Sequence, residues 1–351
     1  TNGSSRASYY NGMKIKSLAT KTEKQVSGLP QAARIENVSW SPDGSKIVFT
    51  ITQNNGLELW MVDTEVAKAR RLTEAVVNDA ISGLPFRWFS DSQHVLYKSV
   101  LTDRGRAPEE ETIQSGPVVQ ENKGSSAPVR TYQDLLKNSY DEQLFEYFTT
   151  SQLMLINLET GKVQKFGKAD IIAAFSTSPD GNYVRVASIK KPFSYIVPYG
   201  RFGQSIAIYD KAGQVVKQLP DLPVAENIPK GFGAVREGAR SFSWRSDAPA
   251  TLTWVEAHVG GDPKREAEVR DQLFSWAAPF EGRPKQGIAF QLRFSGIDWG
   301  SGELAMAYEW WWPNRQLITS QWQPDHPEKG KTIIFERSWE DRYNSPGNFE
   351  T

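Results

Sequence analysis

The chain has 351 residues, of which 39% are hydrophobic, 12% aromatic and 23% charged, and its 41 Lys and Arg balance 41 Asp and Glu. That balance supplies no overall field favouring nucleic acid or an anionic membrane surface. Zero cysteines exclude disulfides, thiolate metal sites and cysteine catalysis within these residues, and no apolar run approaches the ~20 residues of a spanning helix.

The opening Thr1-Asn2-Gly3-Ser4-Ser5 is polar and lacks the charged-then-apolar pattern of a signal peptide. A chain that starts with Thr1 is expected to be part of a longer product, and its compartment stays open. Residues 12–18 read as an orphan strand, the outer part of an earlier repeat. A complete unit follows: Ile35-Glu36-Asn37-Val38-Ser39-Trp40, the turn Ser41-Pro42-Asp43-Gly44, then Ile47-Val48-Phe49-Thr50-Ile51. Two more strands, around Leu59 and Leu72, complete it. Pro suits position i+1 of a type I turn, Asp holds the turn through its side chain, and Gly accepts the positive φ that closes the hairpin.

The unit recurs four times. Phe86-Arg87-Trp88 precedes the turn Ser90-Asp91-Ser92, and Ser178-Pro179-Asp180-Gly181 precedes Tyr183-Val184-Arg185-Val186-Ala187. Phe242-Ser243-Trp244 leads to Leu252-Thr253-Trp254-Val255, and Ile297-Asp298-Trp299 leads through Gly300-Ser301-Gly302 to Leu304-Ala305-Met306. Trp40, Trp88, Trp244 and Trp299 are expected to end equivalent innermost strands. The residues before the turns are 40, 88, 177, 244 and 299, giving spacings of 48, 89, 67 and 55. A bare four-stranded blade needs roughly 40–50 residues. The excess is assigned to the connection between second and third strands of repeats two to five, at about 101–150, 192–202, 258–268 and 310–314. Strand alternation would bring all four to one face.

The longest insertion, about 101–150, changes period. Apolar residues three and four apart predict short helices over 131–137 and 141–148, with Asp141 as an N-cap. Residues 338–351 read as the entry to a later blade. The predicted fold is therefore an all-β propeller of four-stranded antiparallel blades, about five of them plus partial flanking blades, over 1–351 and incomplete at the C-terminus.

Longer strings are more specific than the turns. Pro128-Val129-Arg130-Thr131-Tyr132-Gln133-Asp134-Leu135-Leu136-Lys137, Pro192-Phe193-Ser194-Tyr195-Ile196-Val197-Pro198, Arg240-Ser241-Phe242-Ser243-Trp244-Arg245, Gly260-Gly261-Asp262-Pro263 and Glu340-Asp341-Arg342-Tyr343 stand out. Through them residues 121–347 resemble the N-terminal propeller of the glutamyl endopeptidase branch of the prolyl oligopeptidase family of serine peptidases. The resemblance implies that an α/β-hydrolase domain follows in the same polypeptide, supplies the Ser, Asp and His, and encloses peptide substrate against the propeller. No Gly-x-Ser-x-Gly elbow occurs here. Catalytic residues are therefore expected outside this chain, with no cofactor, no metal, no nucleic acid and no membrane partner. The family usually continues Tyr308-Glu309-Trp310-Trp311 with a basic, Thr-rich run. This chain has Trp312-Pro313-Asn314-Arg315-Gln316-Leu317, in which Arg315 alone keeps the basic character.

Cleavage after glutamate requires a cation for the side-chain carboxylate, and Arg offers a bidentate fork. Arg130, Arg201 and Arg315 belong to the face that the insertions thicken and are the substrate-binding candidates. Glu309 is a candidate for the substrate amino terminus. The Trp310-Trp311-Trp312 run is expected to pack between blades, against the alternative of a stacking platform. Two other classes stay open: a non-catalytic propeller mediating protein–protein interaction, and a propeller glycosidase, which would need a central carboxylate cluster.

Overall fold

A computed structural model describes residues 2–3, 8–110 and 132–347. Antiparallel four-stranded sheets dominate it. A hairpin of β1 (Lys14–Lys16) and β2 (Glu23–Gln25) comes first. Blade one is β3 (Ile35–Trp40), β4 (Lys46–Thr52), β5 (Leu57–Asp63) and β6 (Lys68–Arg71). Blade two begins with β7 (Phe86–Trp88) and β8 (His94–Ser99); helix α1 (Ser139–Thr149) then leads into β9 (Thr150–Asn157) and β10 (Val163–Thr177). Blade three continues with β11 (Tyr183–Lys190), β12 (Gly203–Asp210) and β13 (Val215–Gln218). Blade four is β14 (Ala239–Trp244), β15 (Thr251–Ala257), β16 (Asp271–Ala277) and β17 (Lys285–Phe290); blade five is β18 (Arg293–Ser301), β19 (Leu304–Trp311), β20 (Gln316–Trp322) and β21 (Lys331–Ser338). The fold is a β-propeller built from five such blades.

The tight turns form for the anticipated reason. Asp43 Oδ1 accepts from the Ser41 hydroxyl at 2.7 Å and from the Ser45 N–H at 2.9 Å, and these bonds hold its carboxyl well below the usual carboxylate range. Asp180 repeats the arrangement with the Ser178 hydroxyl and the Asn182 N–H. Gly44 and Gly181 take φ of 71° and 66°, a region that other residues enter only with strain.

The four tryptophans do occupy equivalent register positions. Trp40 pairs with Ile47, Trp88 with Val95, Trp244 with Leu252 and Trp299 with Ala305, each on the first strand of its blade. Their surroundings differ: Trp88 and Trp244 are buried, whereas Trp40 is 54% exposed.

Two compact units emerge from the contacts. One contains β1 to β13; the other contains the turn Ser178–Asn182 and the chain from Leu222 onward. Within the first unit, Val48, Leu59 and Met61 of blade one pack against Phe86, Trp88 and Tyr97 of blade two. Leu96, Leu153 and Leu155 on the other face of blade two meet Phe175, Val184 and Val186 of blade three. In the second unit Val255, Leu273 and Phe290 of blade four pack against Ala305, Ala307 and Trp322 of blade five. Alternating residues of each strand thus feed opposite faces of its blade, and each large apolar side chain so buried contributes about 1.5–3 kcal/mol.

Three expectations are corrected. Strand β10 runs unbroken from the outer position of blade two to the first position of blade three, joining both into a seven-stranded sheet. No Pro interrupts 163–177, and Gly167 at φ 59° absorbs the change of direction within an irregular stretch of pairing. Second, residues 12–18 contribute the short β1 hairpin strand instead of a blade, and 339–347 carry no strand. Third, blade five has no insertion between its second and third strands. Residues 312–315 form a four-residue turn, as short as 53–56 in blade one. Part of the long third spacing is instead the connection between β13 and β14, residues 219–238.

Candidate functional site

Antiparallel alternation sends the second-to-third connection and the end of the fourth strand out of the same edge of every blade. In the first unit that edge carries α1. Its N-cap is Asn138, whose side chain accepts from the Asp141 N–H at 2.8 Å. Asp141 therefore lies in the first turn and not at the cap; there it accepts from the Lys137 N–H and, with Glu142, faces the positive end of the helix dipole. The helix expected over 131–137 does not form across its described part, where Asp134 at φ 56° breaks any helical run.

Helix α1 is tied to the loop between β11 and β12. The Phe145 ring lies 5.2 Å from Phe193, 5.8 Å from Phe202 and 6.2 Å from Tyr199, and Lys191 pairs with Glu146 at 2.7 Å. The insertions of blades two and three therefore do share one edge. Arg201 ends the 3₁₀ turn Tyr199–Arg201, and the Tyr199 hydroxyl meets that of Ser82 at 2.9 Å. Arg130 falls outside the described residues.

In the second unit the corresponding edge gathers residues 222–238, 258–270 and 312–315. The Val235 N–H donates to Gly261 O at 3.2 Å; a Cβ on Gly261 would lie 2.3 Å from Val235 O, so the approach requires glycine. Phe232, 57% exposed, stacks on Trp312 with ring centroids 4.2 Å apart and planes 22° from parallel. Arg315, at φ 59°, closes the turn. Its guanidinium lies 4.3 Å from the Trp312 centroid and 5.7 Å from that of Trp339. Nε of Arg315 pairs with Glu340 at 3.0 Å and Nη1 donates to Trp312 O, which leaves Nη2 without a partner among the described residues. Chemically this is an aromatic shelf with one unused guanidinium edge, suited to stacking a planar group and donating to a carboxylate.

Of the tryptophan run, Trp311 is buried beneath the Arg270 guanidinium, 3.6 Å from its centroid, while Trp312 forms the shelf. Glu309 is fully buried in β19. It accepts from the Leu292 N–H at 2.9 Å and pairs with Lys331, so its carboxylate faces β21 and not the shelf.

Beneath the shelf lies a charged cluster that sequence reasoning missed. Asp271, fully buried at the start of β16, accepts from Arg240 Nη2 at 2.5 Å, Arg293 Nη1 at 2.9 Å and the Phe294 N–H at 2.7 Å. Arg293, also fully buried, donates further to Gly233 O and Arg270 O, each at 2.8 Å. Burial lowers its pKa against the opposing pull of Asp271. Asp271 stands 31 positions from Arg240 and 22 from Arg293 in sequence, and no local pattern links them. The one available signal was Arg240, which opens a string quoted above.

Comparison with known proteins places these features in context. No family model matches the chain. It is 38% identical over 364 residues to a protein named probable glutamyl endopeptidase, chloroplastic, from Oryza sativa subsp. japonica, a match covering 99% of this chain and 38% of the relative. The Arabidopsis thaliana protein of the same name is 36% identical over 361 residues, covering 99% of this chain and 37% of the relative. The chain thus spans less than two-fifths of the length of either. Among solved structures, one of two prolyl endopeptidases, described for the role of inter-domain dynamics in catalysis and specificity, aligns with 90% of this chain and 38% of its own at a TM-score of 0.50 and 11% identity. That likeness concerns the fold.

Proposed function

We propose that this chain, a homologue over 99% of its length of proteins named probable glutamyl endopeptidase, is the propeller of a serine-type peptidase. In this reading it positions and gates peptide substrate for an α/β-hydrolase domain of the same polypeptide. The observation that carries the proposal is the end-to-end match at 38% identity, which uses only 38% of the rice relative. The loop-bearing edges add support. In the first unit two insertions pack on one another through aromatic rings, and in the second the 222–238 connection stacks on the turn of blade five, as a surface meant to hold its form against a partner would.

Within that reading Arg315 is the foremost candidate for the acidic side chain of substrate, because Nη2 stays available beside an exposed aromatic shelf. Arg201 remains a candidate on the first unit's loops, and Arg130, outside the described residues, remains one on its sequence alone. Glu309 is the weakest of the four, since its carboxylate already answers Lys331 and Leu292.

The test is to express the complete product of the gene and offer it peptides that differ only in the residue before the reporter bond. Cleavage after Glu by the complete product, with none by residues 1–351 alone, is the expected result. A complete product that cleaves no peptide yet captures a protein partner would replace this reading with a non-catalytic interaction propeller.

A further inference from the structure

The cluster around Asp271 holds more positive than negative charge. Arg240, Arg293 and Lys331 are almost wholly buried, with side chains 12%, 1% and 12% exposed, and they answer only two buried carboxylates, Asp271 and Glu309. Lys331 pairs with Glu309, so two guanidinium groups share Asp271. A third, Arg270, lies over Trp311, and its backbone oxygen serves Arg293. Asp262 and Glu266 also face the cluster electrostatically, but both reach solvent, and Asp262 Oδ1 is occupied by the Lys264 N–H.

The donors outnumber the acceptors as well. Arg240 Nη1 and Arg293 Nη2 are buried with no hydrogen-bond partner among the described residues. Leaving a charged donor buried and unanswered is among the more costly arrangements in a protein interior. Water would satisfy the hydrogen bonds but not the surplus charge. An anion does both.

We infer that the Arg240–Arg293 pair binds one small monovalent inorganic anion of halide size, held beside Asp271 between blades four and five. The closed position of both spare nitrogens decides the size. Both spare nitrogens are shut off from solvent, and Gly233 O and Arg270 O already accept from the rest of the Arg293 fork, which suits a small free ion better than a carboxylate carried on a peptide. Burial lowers the Arg293 pKa and the neighbouring Arg240 charge lowers it further; a bound anion counters both effects. The anion stands apart from the peptide site proposed above and does not depend on it.

Thermal unfolding at matched ionic strength in sodium chloride and in sodium gluconate tests this. The wild-type protein is expected to melt about 3 °C higher in chloride, the shift that a ligand well above its Kd gives a chain of this size. R240M leaves a single cation on Asp271 and is expected to respond by less than about 1 °C. Equal melting of wild type in the two salts overturns the proposal, as does a chloride response undiminished in R240M. Should R240M not fold, anomalous diffraction from a bromide-soaked wild-type crystal decides: a peak between the two guanidinium groups supports the site, and its absence overturns it.

Discussion

The Thr177 hydroxyl donates to the backbone carbonyl of Trp88 at 2.8 Å. Thr177 holds in blade three the register position that Trp88 holds in blade two: Thr177 pairs with Val184 as Trp88 pairs with Val95. One blade earlier, Trp88 Nε1 donates to Ser39 O at 3.3 Å, beside Trp40. In blades two and three the end of the first strand thus reaches back to the preceding blade, by an indole in one and by a hydroxyl in the other. The repeat is kept in bonding where it is lost in sequence.

T177V removes that bond and leaves the Trp88 carbonyl to find another partner. It should lower stability by about 1 kcal/mol, while T177S should retain most of it. Urea unfolding of the two variants checks this. Equal stability of T177V and wild type would mean that the bond contributes nothing.

Glu309 should behave as a structural residue. E309Q leaves the Lys331 ammonium buried without its counter-charge, at a cost of about 3–5 kcal/mol, whereas E309L/K331M should recover much of that loss. A double-mutant cycle in denaturant reads the coupling directly. An E309Q variant of native stability that binds peptide poorly would return Glu309 to the substrate site.

Lys98 provides a pH signature. It is 3% exposed, and burial, partly offset by Asp79, lowers its pKa to about 8. The unfolded chain holds that proton up to about pH 10.4. Between about pH 8 and 10.4 the unfolded state therefore binds more protons, and this group's contribution to stability rises with pH. Below about pH 8 the gain is absent. Wild type should gain roughly 2–3 kcal/mol relative to K98Q across that window. Parallel stability–pH curves for the two proteins would contradict the assignment.

The repeat was legible because turn chemistry is local: Asp43 and Asp180 bond their own neighbours, and the tryptophans mark strand ends whatever surrounds them. The run of β10 through two blades was not, since 163–177 offers only Gly167 as a break and repeat counting assumes one. Spacing alone reported how many residues were extra but not which connection held them, so the 219–238 segment was credited to other loops. Arg315 was chosen for its charge and loop position. Its aromatic shelf depends on Phe232, 83 residues away in the chain, and could not be read from either string. The Asp271 cluster was hidden for the same reason.

The most direct measurement compares wild-type and R315A forms of the complete gene product on paired peptides cleaved after Glu and after a neutral residue. With Arg315 receiving the acidic side chain, kcat/KM after Glu should fall roughly tenfold to a hundredfold, as loss of a charge-assisted bond implies, with neutral cleavage within about twofold of wild type. An equal fall on both substrates would assign Arg315 to holding Trp312 and Glu340 in place. No change on either would contradict the placement of the acidic side chain at this edge.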